Sequence, residues 1–223
     1  TSLKLMPQGS NDTFLVSVSD GLRTREAVYK PRRGERHLWD FPSGTLYKRE
    51  YAAYVVAQAL SWDFIPCTVI REGPYGIGSL QQFIDADPQS NYFTLREECP
   101  EELERIALFD CLSNNADRKA GHCLRDWDGR VWAIDHGLTF HHDPKLRTVI
   151  WDFAEEPISG HLIQQVDGLL DRLRSPQGLA QELAPLLAPE ELEALRQRLD
   201  RLLTSGRFPP QDPNRRNVPW PWF

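Results

Sequence analysis

Apolar and polar residues alternate in the first part of the chain. Phe14-Leu15-Val16-Ser17-Val18 and Glu26-Ala27-Val28-Tyr29-Lys30 read as strands, with Asp20-Gly21 marking the turn between them. Cys67-Thr68-Val69-Ile70 and Leu80-Gln81-Gln82-Phe83-Ile84 read as two more, joined by the turn-rich Gly73-Pro74-Tyr75-Gly76. Between the pairs lies an irregular stretch, 31–44, rich in Pro, Gly and Arg. From Thr45 the period changes, and Leu46, Glu50, Ala53, Tyr54, Ala57 and Leu60 fall on one helical face.

The second half is mostly helical. Pro100 to Leu112 carries a 3.6-residue period through Leu103, Ile106, Ala107 and Phe109-Asp110. Ser113-Asn114-Asn115 ends it, because these side chains compete for helix hydrogen bonds and tolerate left-handed backbone. His122-Cys123-Leu124-Arg125 and Arg130-Val131-Trp132-Ala133-Ile134 flank Asp128-Gly129, a short hairpin signal. Helices follow from Leu162 to Leu173 and from Gly178 to Leu203, then a Pro/Trp-rich tail. The expected class is α+β, with an N-terminal sheet lobe (1–85) carrying one helix, a helical C-terminal lobe (86–208) and a tail (209–223). The hinge is expected near 85–89.

Composition narrows the function classes. With 223 residues, 40% of them hydrophobic, the chain can bury a substantial core. Its net charge of −6 argues against nucleic-acid binding driven by overall charge. No apolar run approaches membrane-span length, and Thr1-Ser2-Leu3-Lys4 lacks the plan of a signal peptide. Cys67, Cys99, Cys111 and Cys123 form no C-x-x-C pair, which disfavours zinc and a compact disulfide scaffold and points to a reducing cytoplasm. No polybasic cluster is large enough for stable membrane anchoring, although Arg215-Arg216 with Trp220 and Trp222 could touch an interface transiently.

The 26 basic residues include only five lysines, so each is informative. Lys30 ends an apolar strand, where a surface lysine snorkelling to water is the plain alternative. Glu50 sits on the apolar face of its helix, and a carboxylate there needs a partner, because burying it unpaired costs several kcal/mol. Lys30 would supply one. Downstream, the polar loop Asn114-Asn115-Ala116-Asp117-Arg118-Lys119-Ala120-Gly121-His122 and the strand end Ile134-Asp135-His136-Gly137 flank one hairpin. Their two aspartates are placed to converge.

This order of Lys, helix Glu, Asp-Arg loop and Asp-x-Gly resembles the protein-kinase-like fold. Asp117-Arg118 and Asp135-His136-Gly137 resemble more narrowly the phosphatidylinositol 3-/4-kinase branch. Tyr29-Lys30-Pro31, Leu38-Trp39-Asp40-Phe41-Pro42 and Gly137-Leu138-Thr139-Phe140 are similar to a compact, actinobacterial-type group of that branch. The resemblance covers roughly residues 10 to 155. It implies a minimal bilobal kinase-like fold and an ATP-dependent kinase that passes the γ-phosphate to a hydroxyl. That hydroxyl would belong to a protein Ser/Thr (its own included), a phosphatidylinositol or a small metabolite.

The resemblance also assigns roles. Lys30 would hold the α/β-phosphates and Glu50 would hold Lys30. Asp117 would orient or deprotonate the attacking hydroxyl, and Lys119 would meet the transferring phosphate as in Ser/Thr protein kinases. Asp135 would bind Mg²⁺. His122 stands where the fold usually has an Asn metal ligand, and an imidazole better suits a softer ion such as Mn²⁺. Ser10 and Asn11, within Gln8-Gly9-Ser10-Asn11, would cover the phosphates, and backbone near Phe83 and Ile84 would meet the adenine. Lys145 and Arg147 would clamp an anionic substrate, with Thr148 or Ser159 as phosphate acceptors. His141 and His142 are adjacent, so their rings are expected to diverge rather than share a metal. Two rival readings are a nucleotide-binding pseudokinase, motivated by His122, and an interaction module using the tail.

Overall fold

A computed structural model describes residues 3–6, 11–175 and 177–223. Five strands form an antiparallel sheet in the order β1-β2-β3-β5-β4: β1 Leu3–Leu5, β2 Phe14–Ser19, β3 Thr24–Pro31, β4 Thr68–Gly73 and β5 Gly76–Gln82. The period-2 pattern sets the register. Phe14 pairs with Tyr29 and Val16 with Ala27, which puts these four apolar residues on one buried face. Lys30 pairs with Ser79 near the centre of the sheet. β1 was not legible in the alternation.

The β1–β2 connection closes onto the segment after β3. The Asp12 amide donates to Gly34 O at 3.1 Å and the Arg36 amide to Asn11 Oδ1 at 2.8 Å. Glycine is required at 34, because a Cβ there would stand 2.5 Å from the Cβ of Asp12. Gln8, Gly9 and Ser10 lie outside the described residues.

Helix α1, Leu46–Ala59, is buried on nearly every side. The expected one-faced stripe undercounts it: Ala52, Val55 and Val56 are buried as well as Ala53 and Ala57. These residues belong to the same large apolar cluster as the later helices, whereas the sheet keeps only a small cluster of its own. The main core therefore runs across the expected 85/86 boundary. The stretch before α1 ends in a plug, in which Phe41 packs with Leu46 and Ala116 while Trp39 is 90% exposed.

The C-terminal part contains α2 Tyr92–Leu95, α3 Pro100–Ser113, the hairpin β6 Cys123–Arg125 and β7 Val131–Ala133, α4 Gly160–Arg174, α5 Leu179–Leu183 and α6 Pro189–Ser205. The helix expected from Gly178 to Leu203 is two helices. The break falls between Pro185 and Pro189, and Pro189 opens α6 at the position where a missing amide costs nothing. Asn114 ends α3 in the left-handed conformation (φ 55°), as its composition suggested. Among the described residues no helix is long and apolar enough to cross a membrane. The four cysteines are free thiols.

One buried ion pair joins α3 to the loop that follows it. Arg118 and Asp110 are both fully buried, and Arg118 Nη2 lies 3.0 Å from Asp110 Oδ1. Asp110 also accepts from Asn115 Nδ2 at 2.8 Å and Thr148 Oγ1 at 3.2 Å. Removing one partner of such a pair strands the other charge, so Asp110→Ala is expected to lose about 3–5 kcal/mol, read from urea unfolding. A loss under about 1 kcal/mol would show that the pair does not anchor the loop.

Candidate active site

Strand β3, helix α1 and the end of β7 bring three charged groups together. The Lys30 ammonium pairs with Glu50 Oε1 and with Asp135 Oδ1, the latter at 2.8 Å. Glu50 is 2% exposed, and its second oxygen accepts the His136 amide at 3.0 Å. Burial alone would lower the Lys30 pKa, but Asp135 and Glu50 outweigh it and hold the ammonium firmly protonated. Lys30 in turn keeps the Asp135 carboxyl well below the usual range. Asp135 stands at φ 61°, a left-handed backbone that Asp tolerates better than most residues. Gly137 is not forced by strain: a Cβ there would make ordinary 3.6 Å contacts with Glu50 and Leu46.

The loop bearing Asp117 faces this trio. Arg118 fixes it from below, with Nη1 donating to Ile134 O at 2.8 Å and Nη2 lying 2.8 Å from His136 Nε2, which must be the acceptor. Asp117 is left partly open, with Lys119 Nζ 3.4 Å from its Oδ2. Burial pushes Asp117 up to about 6, against the pull of Lys119, and the nearby Asp135 charge adds to the rise. His122 Nε2 lies 3.4 Å from Asp135 Oδ2. Burial lowers His122 to about 4, so it is neutral at physiological pH, and its Nδ1 accepts the Lys119 amide at 3.3 Å.

Asp135 and His122 offer a carboxylate and a neutral imidazole. Two ligands on one octahedral ion with bonds of about 2.1 Å are roughly 3 Å apart, so the 3.4 Å spacing fits a shared divalent cation. His141 and His142 do not diverge as expected; their rings stack at 4.4 Å with 23° between planes. With Asp143 they form a cluster whose ligand atoms all lie within 4.8 Å of one another. His141 Nδ1 is also occupied by the Asp143 amide at 2.9 Å.

The remaining expected residues are placed as follows. The Asn11 side chain is engaged by the Arg36 amide. The Phe83 amide donates to Glu26 O at 3.1 Å, so Ile84 is the first residue past β5 whose main chain is outside the sheet pairing. Lys145 pairs with Asp40 at 3.1 Å, half-covered by Trp39 and Phe41, rather than reaching into open solvent. Arg147 Nε donates to Ala116 O at 2.8 Å, and its charge acts on Asp117. The hydroxyl of Thr148 is buried against Asp110, and that of Ser159 donates to Glu104 at 2.8 Å.

Sequence reasoning missed Asp110. The signal was there, since it is a carboxylate on the apolar face of α3 beside Phe109, as Glu50 is on α1. It also left the tail undecided. The tail folds back: Asn217 O accepts the Thr148 amide at 2.9 Å and the Trp151 indole at 3.1 Å, and Trp222 O accepts the Ala120 amide at 2.9 Å. The Trp222 ring meets Phe93 edge-on at 5.4 Å. Removing residues 211–223 strands the buried Thr148 and Ala120 amides and is expected to lower Tm by about 5–10 °C. An unchanged Tm would mean that the tail is held only loosely.

No protein-family model matches the chain. It is 41% identical over 259 aligned positions to Protein Rv2133c of Mycobacterium tuberculosis (strain ATCC 25618 / H37Rv), a match spanning the whole chain and 92% of that relative. Over 100 positions, 42% of the chain, it is 31% identical to Phosphatidylinositol 4-kinase gamma 4 of Oryza sativa subsp. japonica, of which 18% is covered. The solved structure of the Golgi casein kinase with Mn/ADP bound superimposes with a TM-score of 0.60 at 15% identity, over 96% of this chain and 77% of that one. The fold is therefore kinase-like, with an antiparallel sheet lobe and a helical lobe.

Proposed function

The chain belongs to the family of Protein Rv2133c, and we propose that it is an ATP-dependent phosphotransferase of the phosphatidylinositol 3-/4-kinase-like type. The observation that carries this reading is the contact of Lys30 with both Glu50 and Asp135, beside a loop that presents Asp117. A sheet lysine held by a helix carboxylate is a fixed cation for phosphate oxygens, and phosphoryl transfer depends on such positioning more than on covalent chemistry. The kinase-like fold, the similarity to a phosphatidylinositol 4-kinase segment and the Mn/ADP bound to the Golgi casein kinase support it.

In this reading Lys30 binds the α/β-phosphates, Glu50 orients it, and main chain at Phe83–Ile84 lies against the adenine, with Ile84 offering the free groups. Asn11 belongs to the loop over the phosphates; Ser10, which precedes it in the sequence, lies outside the described residues. Asp135 and His122 hold a divalent cation, Mg²⁺ or Mn²⁺, which would neutralise phosphate charge when bound. Asp117 accepts the proton of the acceptor hydroxyl, and Lys119 beside it meets the phosphoryl group in transit. Arg147, close to Asp117, favours an acceptor with an anionic group near its hydroxyl, whether a phosphatidylinositol or an acidic Ser/Thr peptide. Lys145, held by Asp40, is the second basic residue of the substrate segment. The four free thiols fit a cytoplasmic setting.

Asp117→Ala and Asp135→Asn are expected to lower phosphate transfer at least about 100-fold while Tm stays within a few degrees. The assay is radiolabelled ATP with phosphatidylinositol vesicles and with protein acceptors in parallel. Full activity in both variants would discard this site. Nucleotide binding without turnover in Mg²⁺ or Mn²⁺ would instead select a pseudokinase, a reading favoured by the histidine at position 122.

The pKa of Asp117 adds a pH signature. A base raised to about 6 is protonated below that pH, so kcat/KM is expected to fall tenfold per pH unit on the acid side of about 6. The stability consequence has the opposite sense to that of a salt-bridged aspartate. With the folded pKa above the unfolded one, the stability this group contributes is complete below about pH 4 and is lost as the pH rises through about 6. Asp117→Asn should therefore raise Tm most at pH 8, by roughly half as much at pH 5, and not at all below about pH 4. A higher Tm at pH 5 than at pH 8 relative to wild type would contradict the assignment.

A further inference from the structure

Next to Glu50 on α1 is Arg49, which is 1% exposed. Its Nη2 lies 2.6 Å from Glu191 Oε1, in the first turn of α6. Its Nη1 donates to Thr139 O at 2.6 Å, in the segment just past Asp135, and the Phe41 ring lies 5.1 Å from the guanidinium carbon. Glu191 is itself 4% exposed, and its other oxygen accepts the Ala188 amide at 3.0 Å at the start of α6. The Thr139 hydroxyl donates to His136 O at 2.8 Å. One guanidinium thus ties α1, the Asp135 segment and α6 together. Lys48 adds a further tie, donating to Pro185 O at 2.9 Å.

A buried ion pair is a weak device for stability, because apolar residues of the same size often serve equally well. Geometry gives it a better rationale. Glu50 must face Lys30 with one oxygen and the His136 amide with the other, which fixes both the rotation of α1 and its distance from the Asp135 segment. Arg49 touches the same two elements from the adjacent position. We propose that Arg49 and Glu191 are positioning residues that hold α1 permanently in the assembled arrangement, so that the Lys30–Glu50–Asp135 contact needs no modification or partner to form. The inference rests on the phosphotransferase reading of that site.

The deciding variant is the double substitution Arg49→Met with Glu191→Leu, which removes both charges and nearly keeps the volume. Its Tm is expected to lie within a few degrees of wild type, with kcat at least tenfold lower, KM for ATP changed less than threefold, and amide hydrogen exchange over residues 134–139 at least tenfold faster. A purely structural pair would leave kcat and exchange at wild-type values, and that result overturns the proposal. Should the double variant fail to fold, Glu191→Gln takes its place, with faster exchange over 134–139 expected and unchanged exchange overturning. A wild-type protein that transfers no phosphate would sink the phosphotransferase reading alone, because the exchange measurement still decides the positioning role.

Discussion

The buried Asp110–Arg118 pair is the constraint from which the rest of the site follows. Two opposite charges removed from water are stable only if nearly all their hydrogen-bonding capacity is met. Asp110 meets this with Arg118, Asn115 and Thr148, and Arg118 with Asp110, Ile134 O and His136. Satisfying both charges dictates where four pieces of chain must go: the end of α3, the loop bearing Asp117, the end of β7 and the segment carrying Thr148. Asp117 is left as the half-buried neighbour of a firmly held residue. A mostly polar loop is thereby pinned at its centre, with Ala116 and Ala120 buried on either side of the pair.

The second organising element is α1, which serves two masters. Its Ala and Val residues fill the core shared with α3, α4 and α6, while Glu50 reaches back to the sheet through Lys30. The small Ala residues allow close approach on several sides at once, so its burial is not confined to one stripe. The charged residues at 48, 49 and 50 then leave the helix in three directions, each to a different partner.

Much of this was legible in the sequence where one residue type in one pattern admits few physical outcomes. Alternation gave the central strands and their buried face; Asn at 114 gave the left-handed exit from α3; Glu50 on an apolar stripe gave the partner of Lys30. The break at Pro185–Pro189 was also written in the chain, but the apolar period continued across it and masked two proline stops. What the pattern could not give were pairings between distant residues: Asp40 with Lys145, Arg49 with Glu191, and the tail carbonyls with Ala120 and Thr148. Main-chain acceptors carry no side-chain signature, and a charge on a buried face announces that it has a partner without naming it.

The inequality between the sheet's own apolar cluster and the large helical one has a thermal consequence. Local opening follows local burial, so the strands resting on Phe14, Val16, Ala27 and Tyr29 are the least protected cooperative unit, and the body built on α1 and the later helices the most protected. A ligand that spans both must hold the weaker unit closed in order to bind, and its binding energy then appears as stability in that unit first. On warming, such a molecule would fray from its sheet inward while its larger body stayed intact.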